Sequence, residues 1–397
     1  MVDRIDPLDI TNIKDLSTWM KTKNWRNIAK LEPCRFKESG RGMRTRKGLK
    51  AGQLLVQIPR LLLMTAGDFR TSKEWSWIVD KNLSCHDALV LYLLVEKNKR
   101  DSSFFHAYIK TLPEVFSMPT DLRSEMTHML PNFIAMKLQD KIKSLQDSFK
   151  NVARGYKSIC IKELGFSDFK WAYYVVNTRA VHITGSSGKF NADSSDCMAL
   201  APFLDLLNHT HDTSSISGFN PYTNCYEIET LSKTPKCSEV FINYGPHDNL
   251  SLFVEYGFMI PRNPNNFVPF EMTDFISACN EYNVKLSNLC LQTINLHNLM
   301  KNLGCFADGP SWSVKVLLKV LSCDWSSLMR IEDIIYRDFE NHGLTEKTLL
   351  NCILEKKKEE LQNSLSTIAK DKNCQIANCI VSFLEECLSI IEFSYAN

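Results

Sequence analysis

The sequence predicts an α+β protein in which two β-rich stretches flank a long helical insert and an all-helical region follows. Three observations carry this fold class. Residues 34–59 are punctuated by glycine and end in a β-like run. Residues 68–180 show helical periodicity. Residues 197–260 return to strand-like alternation before helical periodicity resumes over 271–397. A chain of 397 residues is too long for one minimal domain. We expect two domains, 1–260 with its helical insert at about 68–195, and 261–397.

The elements follow in order. Residues 8–30 predict one or two short helices bearing Trp19 and Trp25. Leu54-Leu55-Val56-Gln57-Ile58 reads as a strand stopped by Pro59. Ser84, with Asp87 three residues on, is a capping-box signature ahead of the apolar run Ala88 to Val95. Met126, Met129, Leu130, Phe133 and Leu138 recur at helical spacing and predict a helix over 121–150, and Trp171, Tyr174 and Val175 predict another. The Gly-, Ser-, Asn- and Asp-rich stretch 185–196 reads as a surface loop. Tyr226, Ile228 and Thr230 alternate with Glu227 and Glu229, and Val240, Ile242 and Tyr244 share one face of a further strand. Pro261 and Pro264, with the asparagines around them, read as a linker. Near the end, Ile376, Cys379, Ile380, Phe383, Leu384, Cys387, Leu388 and Ile391 form a wide apolar stripe that must pack on other helices.

Composition excludes several classes. The 44% hydrophobic and 23% charged content rules out a disordered or low-complexity chain. Forty-seven basic against 45 acidic residues give a formal charge of +2, and so no whole-chain pull toward nucleic acid or membrane. The first residues lack the apolar core of a secretory signal, and Ala88–Val95 is far too short to span a bilayer. We therefore expect a cytoplasmic and nuclear protein with reduced thiols. Among its 14 cysteines there is no Cys-x-x-Cys pair; the nearest two are Cys374 and Cys379. That spacing argues for packing residues and against a metal site.

Several motifs fail. Gly40-Arg41-Gly42 lacks the third glycine of a dinucleotide fingerprint, and Gly188-Lys189 lacks the spacing of a P-loop. There is no Gly-x-Ser-x-Gly elbow. Asp205, His209 and His211 have no obvious further ligand to complete a metal site. Arg41, Arg44, Arg46, Lys47 and Lys50 read as a charged, solvated turn.

Three segments stand out together: Ala199-Leu-Ala-Pro-Phe-Leu-Asp205-Leu-Leu-Asn208-His209, Val240-Phe-Ile-Asn-Tyr244-Gly245 and Glu255-Tyr256-Gly257-Phe258. In this order and spacing, with glycines at 40–43 and Asn177-Thr178-Arg179 upstream, the chain resembles the SET-domain protein methyltransferases. The split sheet around a helical insert resembles the subclass that includes plant Rubisco large-subunit methyltransferase. Val176–Val181, Tyr244–Asn249 and Asp308–Trp312 carry the likeness further.

The resemblance implies a split SET β-fold in which the Asn-His segment threads a pseudoknot. It also implies S-adenosylmethionine as methyl donor, S-adenosylhomocysteine as product, no metal, and a protein lysine as acceptor, on a histone tail or another protein. By the same resemblance, Gly40, Gly42, Met43 and Arg44 lie against the cofactor, Arg179 pairs with its carboxylate, and Asp205, Leu206, Leu207, Asn208 and His209 contact it mainly through backbone. Asn208 and His209 recognise its adenine end, and Tyr256 places an aromatic ring beside it. Tyr244 is the tyrosine at the transfer point, and Phe258 lines the lysine channel with it. Thr210 stands where the family has serine after Asn-His, which keeps the hydroxyl. The helical domain would take the substrate protein; no direct nucleic-acid or membrane contact is expected, and the chain would act as a monomer. Two other readings stay open at this point: a histidine acceptor, and a catalytically silent module that captures a partner through 271–397.

The implied chemistry is an in-line displacement from a sulfonium, so alignment of amine, methyl and sulfur carries much of the rate, about 7–11 kcal/mol in favourable cases. The attacking amine must be neutral, and an apolar channel lowers a lysine pKa from its ordinary value of roughly 10.4 toward that state. Phe258, lacking a hydroxyl, leaves no seat for an ordered water beside the amine.

Overall fold

The computed structural model describes residues 7–75, 83–122, 124–183, 198–322, 344–368 and 375–396. Its helices are α1 (Pro7–Lys21), α2 (Ala66–Thr71), α3 (Cys85–Asn98), α4 (His106–Ile109), α5 (Ser124–Thr127), α6 (Asn132–Cys160), α7 (Phe166–Arg179), α8 (Asn249–Tyr256), α9 (Met272–Glu281), α10 (Asn288–Leu296), α11 (Trp312–Ser322), α12 (Leu344–Ile368) and α13 (Gln375–Ala396). Its strands are β1 (Leu31–Phe36), β2 (Gly40–Thr45), β3 (Gln53–Pro59), β4 (Met64–Thr65), β5 (Ala180–His182), β6 (Met198–Leu200), β7 (Asn208–His209), β8 (Ser215–Asn220), β9 (Cys225–Thr230), β10 (Phe241–Ile242), β11 (Phe267–Pro269), β12 (Gly304–Phe306) and β13 (Gly309–Pro310). The chain forms two compact units, residues 1–116 with 140–246, and residues 117–139 with 247–397. The boundary expected between residues 260 and 261 falls inside the second of these units.

The first unit is built on short sheets. β1 and β2 form a hairpin in register from Leu31 opposite Thr45 to Phe36 opposite Gly40. β9 is flanked by β3 and β8, with Ile58 opposite Tyr226 and Val56 opposite Ile228. The alternation read in the sequence is present: Tyr226, Ile228 and Thr230 are buried, and Glu227 and Glu229 are not. β6 lies between β4 and β5. β7 and β10 pair in parallel, Asn208 beside Phe241 and His209 beside Ile242. α3 is buried nearly all round over Ala88–Val95, and the Ser84 hydroxyl accepts the Asp87 N–H at 3.0 Å, as its cap position predicts.

The second unit is mainly helical. α12 and α13 pack together, burying Ile380, Phe383, Leu384, Cys387 and Ile391 of the expected stripe. Asp248 caps α8, its carboxylate accepting the Ser251 N–H at 2.8 Å. Gly257 ends α8 in the left-handed region at φ +79°.

Several expectations need correcting. The helix expected over 121–150 is broken by Pro131, which lacks an N–H and disfavours helix in the residue before it; α5 ends at Thr127 and α6 runs over Asn132–Cys160. Trp25 lies beyond α1. The strand expected over Val240–Tyr244 is hydrogen-bonded as strand only at Phe241–Ile242. The C-terminal region carries, besides its helices, a small antiparallel sheet in which β12 lies between β11 and β13. The Pro261–Pro264 linker is no solvated spacer, since Asn263 and Asn266 are buried and hydrogen-bonded. The loop expected at 185–196 lies outside the described residues. Every described cysteine is a free thiol; seven are buried, and Cys237 is exposed. Among the described residues, no helix is long and apolar enough to cross a membrane.

Candidate functional site

The site of the first unit is assembled from four pieces of chain. The first is the β1–β2 hairpin, where Gly40 turns the chain at φ +72° and a Cβ would meet nothing within 4 Å. Gly42, two residues on, is a different case. A Cβ there would lie 2.3 Å from Glu239 Oε1 and 2.8 Å from Asn208 Nδ2, so the protein itself needs the missing side chain.

Asn208 fills that space. Its side-chain amide donates to the Arg41 carbonyl at 3.0 Å and to Glu239 Oε1 at 2.8 Å. Glu239 Oε2 in turn accepts from the Ser39 hydroxyl at 2.6 Å. Backbone bonds from Val240 to Met43 and from Thr45 to Ser238 stitch the hairpin to the 237–242 segment. Burial pushes the Glu239 carboxyl above its ordinary value, against the lowering effect of Ser39 and Asn208.

The parallel step β7/β10 then sets the next group. His209 is buried and its Nδ1 accepts the Tyr244 N–H at 3.1 Å, which requires an unprotonated Nδ1. The two rings stack with centroids 5.0 Å apart. The Tyr244 hydroxyl donates to the Leu207 carbonyl at 2.7 Å. Asn208, His209, Leu207 and Tyr244 are thus brought together by one crossing of the chain.

The fourth piece joins α4 and α7. Arg179, the last residue of α7, donates from Nη1 to the Asp205 carbonyl at 2.8 Å and to Asp205 Oδ2 at 3.2 Å. Tyr108, fully buried in α4, donates its hydroxyl to the same Oδ2 at 3.1 Å. Burial first, then the Asp205 charge, push the Tyr108 hydroxyl well above its ordinary value, so it stays a neutral donor. Arg41 pairs with Asp9, and its pKa is lowered by burial and then by Arg179. Arg44 reaches Glu32 across the hairpin at 3.5 Å. Among the described residues, the buried Arg179 Nε, Asp205 Oδ1 and Arg44 Nε have no hydrogen-bond partner.

Sequence reasoning gave Arg179 to a bound carboxylate, and in this structure part of its fork holds Asp205. Leu206 is buried and Met43 is buried on β2, both in this unit. Tyr256 and Phe258 stand in the second unit, around the left-handed turn at Gly257, with ring centroids 6.0 Å apart. Sequence reasoning missed Glu239, Ser39 and Tyr108. Glu239 had one signal, an acid directly before an apolar strand; Tyr108 had none, being one aromatic among several. Asp205, His209 and His211 form no metal cluster, and among the described residues no group of three or more His, Cys, Asp or Glu could hold an ion.

The family model of the SET domain matches residues 40–245, from the hairpin glycine to the residue after Tyr244. The chain belongs to the SET-domain methyltransferase family. It is 33% identical over 324 residues to SET domain-containing protein 4 of Mus musculus, covering 77% of this chain and 72% of the relative. The Homo sapiens protein of the same name is 30% identical, over 77% of this chain and 71% of its own length. Actin-histidine N-methyltransferase of Mus musculus is 27% identical over 65% of this chain, but over only 44% of its own length. The SET domain of LSMT bound to lysine and AdoHcy matches in fold, with a TM-score of 0.66 at 13% identity, over 97% of this chain and 90% of that one.

Proposed function

We propose that this SET-domain chain transfers a methyl group from S-adenosylmethionine to the side-chain amine of a protein lysine, leaving S-adenosylhomocysteine. The observation that carries the reading is the β7/β10 crossing, which gathers Asn208, His209 and the Tyr244 hydroxyl at one place beside the glycine hairpin. The residues present fit the donor. The unpartnered buried Nε–H of Arg179 and Oδ1 of Asp205 are the polar complement of a ligand bearing both a carboxylate and an ammonium. The open side of Gly40 leaves room for a ligand against the hairpin backbone.

In this proposal Gly40, Gly42, Met43, Arg44, Arg179, Asp205–His209 and Tyr256 hold the cofactor, which supplies an electrophilic methyl on sulfur. Tyr244 aligns the acceptor. Its proton goes to the Leu207 carbonyl, so toward an amine N–H the oxygen serves as hydrogen-bond acceptor and not as acid. His209 fixes the Tyr244 backbone through Nδ1 and keeps that alignment rigid. Phe258 lines the amine channel. Residues 1–260 carry catalysis and 261–397 select the substrate, a histone tail or another lysine-bearing protein; the chain acts as a monomer in cytoplasm and nucleus.

The test is a tritium-transfer assay with core histones and a cell extract, comparing the wild type with Tyr244→Phe, alongside calorimetry with S-adenosylhomocysteine. We expect the variant to bind normally and lose most turnover; near-normal turnover removes Tyr244 from the reaction. The likeness to actin-histidine N-methyltransferase supports a second reading, a histidine acceptor. Chromatography of the acid hydrolysate separates methyllysine from methylhistidine and decides between them.

A further inference from the structure

The segment that carries Tyr256 and Phe258 is closed into a ring by one side chain. Asn249, buried at the start of α8, accepts the Ile260 N–H on Oδ1 at 3.0 Å and donates from Nδ2 to the Ile260 carbonyl at 2.8 Å. Residues 250–259 form the arc between these two points, and the left-handed Gly257 sits on it. A Cβ at Gly257 would lie 2.7 Å from the Ser117 carbonyl, so the arc is also seated tightly against neighbouring backbone. Asn263 donates to Asn249 Oδ1 at 3.3 Å and to the His247 carbonyl at 2.9 Å, and Asn266 Oδ1 accepts the Asn249 N–H at 2.9 Å.

The ring is held from outside by a residue far away in sequence. Glu386, on the last helix α13, accepts from Asn249 Nδ2 at 3.1 Å and Asn266 Nδ2 at 2.5 Å on Oε2, and from the Arg262 N–H at 2.9 Å on Oε1. All three donors are neutral groups, and they tie the carboxylate to the two ends of the arc. Three hydrogen bonds converge on this one side chain. Glu386 is half-buried on α13, and a partly buried acid is costly to place unless it is hydrogen-bonded.

We infer that Glu386 is a positioning residue for the Tyr256–Phe258 arc, acting through Asn249 and Asn266. The inference rests on the reading that Phe258 lines the channel of the acceptor amine. By fixing both ends of the arc, the last helix holds the Phe258 ring in one position, and so bears on how many methyl groups the bound amine accommodates.

The experiment uses the full chain with Glu386→Ala and Glu386→Gln, tritiated S-adenosylmethionine, core histones and cell extract as acceptors, and chromatography of mono-, di- and trimethyllysine after acid hydrolysis. Glu386→Ala lowers turnover roughly tenfold or more, as a misplacement of an ångström can, and changes the ratio of methylation states. S-adenosylhomocysteine affinity changes by less than about threefold, because most of its proposed contacts lie on other segments. Hydrogen exchange over 249–260 rises in the same variant. Glu386→Gln keeps a carbonyl oxygen for the two asparagine amides and sets an NH₂ against the Arg262 N–H, so it lies between wild type and alanine; it also gives the answer should the alanine variant fail to fold. Wild-type turnover and methyl ratios in a variant that is merely less stable overturn the inference and leave Glu386 as packing. Absence of any transfer by the wild type overturns the methyltransferase reading, and this inference with it.

Discussion

Replacing Asn208 by aspartate tests the centre of the hairpin clamp with almost no change of shape. A carboxylate oxygen at the place of Asn208 Nδ2 faces Glu239 Oε1 at 2.8 Å. At an effective dielectric of about 20, two unit charges that close repel by roughly 6 kcal/mol. The pair has an escape, since it can bind one proton and share it. Keeping a carboxyl of ordinary pKa near 4.3 protonated at pH 7 costs about 4 kcal/mol, at about 1.36 kcal/mol per pH unit. The smaller penalty wins, so the folded pair is singly protonated. The Arg41 carbonyl also loses its donor, worth about 1 kcal/mol, for a total near 5 kcal/mol at pH 7.

The sign follows from linkage. The shared proton is bound in the folded state and absent in the unfolded one at neutral pH, so the folded pKa is raised. Its stabilising proton is fully bound below the unfolded pKa and is lost as pH rises through the folded one. Burial already raises Glu239 in the wild type, so the proton has a ready acceptor. The Asn208→Asp penalty therefore shrinks by about 1.4 kcal/mol for each unit the pH falls from neutrality toward about 5. Urea unfolding of wild type, Asn208→Ala and Asn208→Asp at about pH 7.5, 6.5 and 5.5 reads this directly. The alanine penalty stays nearly level while the aspartate penalty falls. An aspartate penalty that is flat with pH refutes the reasoning.

Four further outcomes follow from the same contacts. Tyr108→Phe removes one of the donors to Asp205 Oδ2 and raises the S-adenosylhomocysteine Kd about fivefold, or about 1 kcal/mol, by calorimetry; an unchanged Kd takes the Tyr108–Asp205–Arg179 chain out of the cofactor site. Gly257→Ala combines a left-handed φ with a contact at 2.7 Å to the Ser117 carbonyl, and it costs about 2 kcal/mol or more in denaturant unfolding, whereas a loss within about 0.5 kcal/mol contradicts the seating of that turn. Phe258→Tyr restores a hydroxyl beside the proposed channel and shifts the product toward monomethyllysine by mass spectrometry; an identical pattern of methylation states ends that idea. Thiol labelling at mild alkaline pH modifies Cys237 ahead of Cys279 and Cys305, whose thiols burial pushes up to about 11, and peptide mapping that finds the buried pair first contradicts the packing.

The parts of the fold that were legible in the sequence are those where one local signal coincides with burial. Ser84 and its apolar run gave α3, and the Tyr226–Thr230 alternation gave β9, because capping and pleat depend on neighbours within a few residues. Asn208, His209 and Tyr244 were legible only as a pattern of motifs; nothing local says that residues 208 and 241 run side by side. Tyr108 was illegible for the same reason, and the one local signal at Glu239 did not show its role, since each acquires meaning from a partner more than 30 residues away. The short sheet of the second unit was missed because its strands have two or three residues each, too few for a period to register.

The β7/β10 crossing also has a consequence in time. The hairpin of residues 31–45 is complete early in synthesis, yet the segment that clamps it, 237–242, follows nearly two hundred residues later. At about 5–20 residues per second, a nascent chain carries that hairpin for roughly 10–40 s before Glu239 exists to receive Asn208. During translation the β1–β2 hairpin therefore stands without the Glu239 clamp for that interval, and the clamp closes only once residues 237–242 have been made.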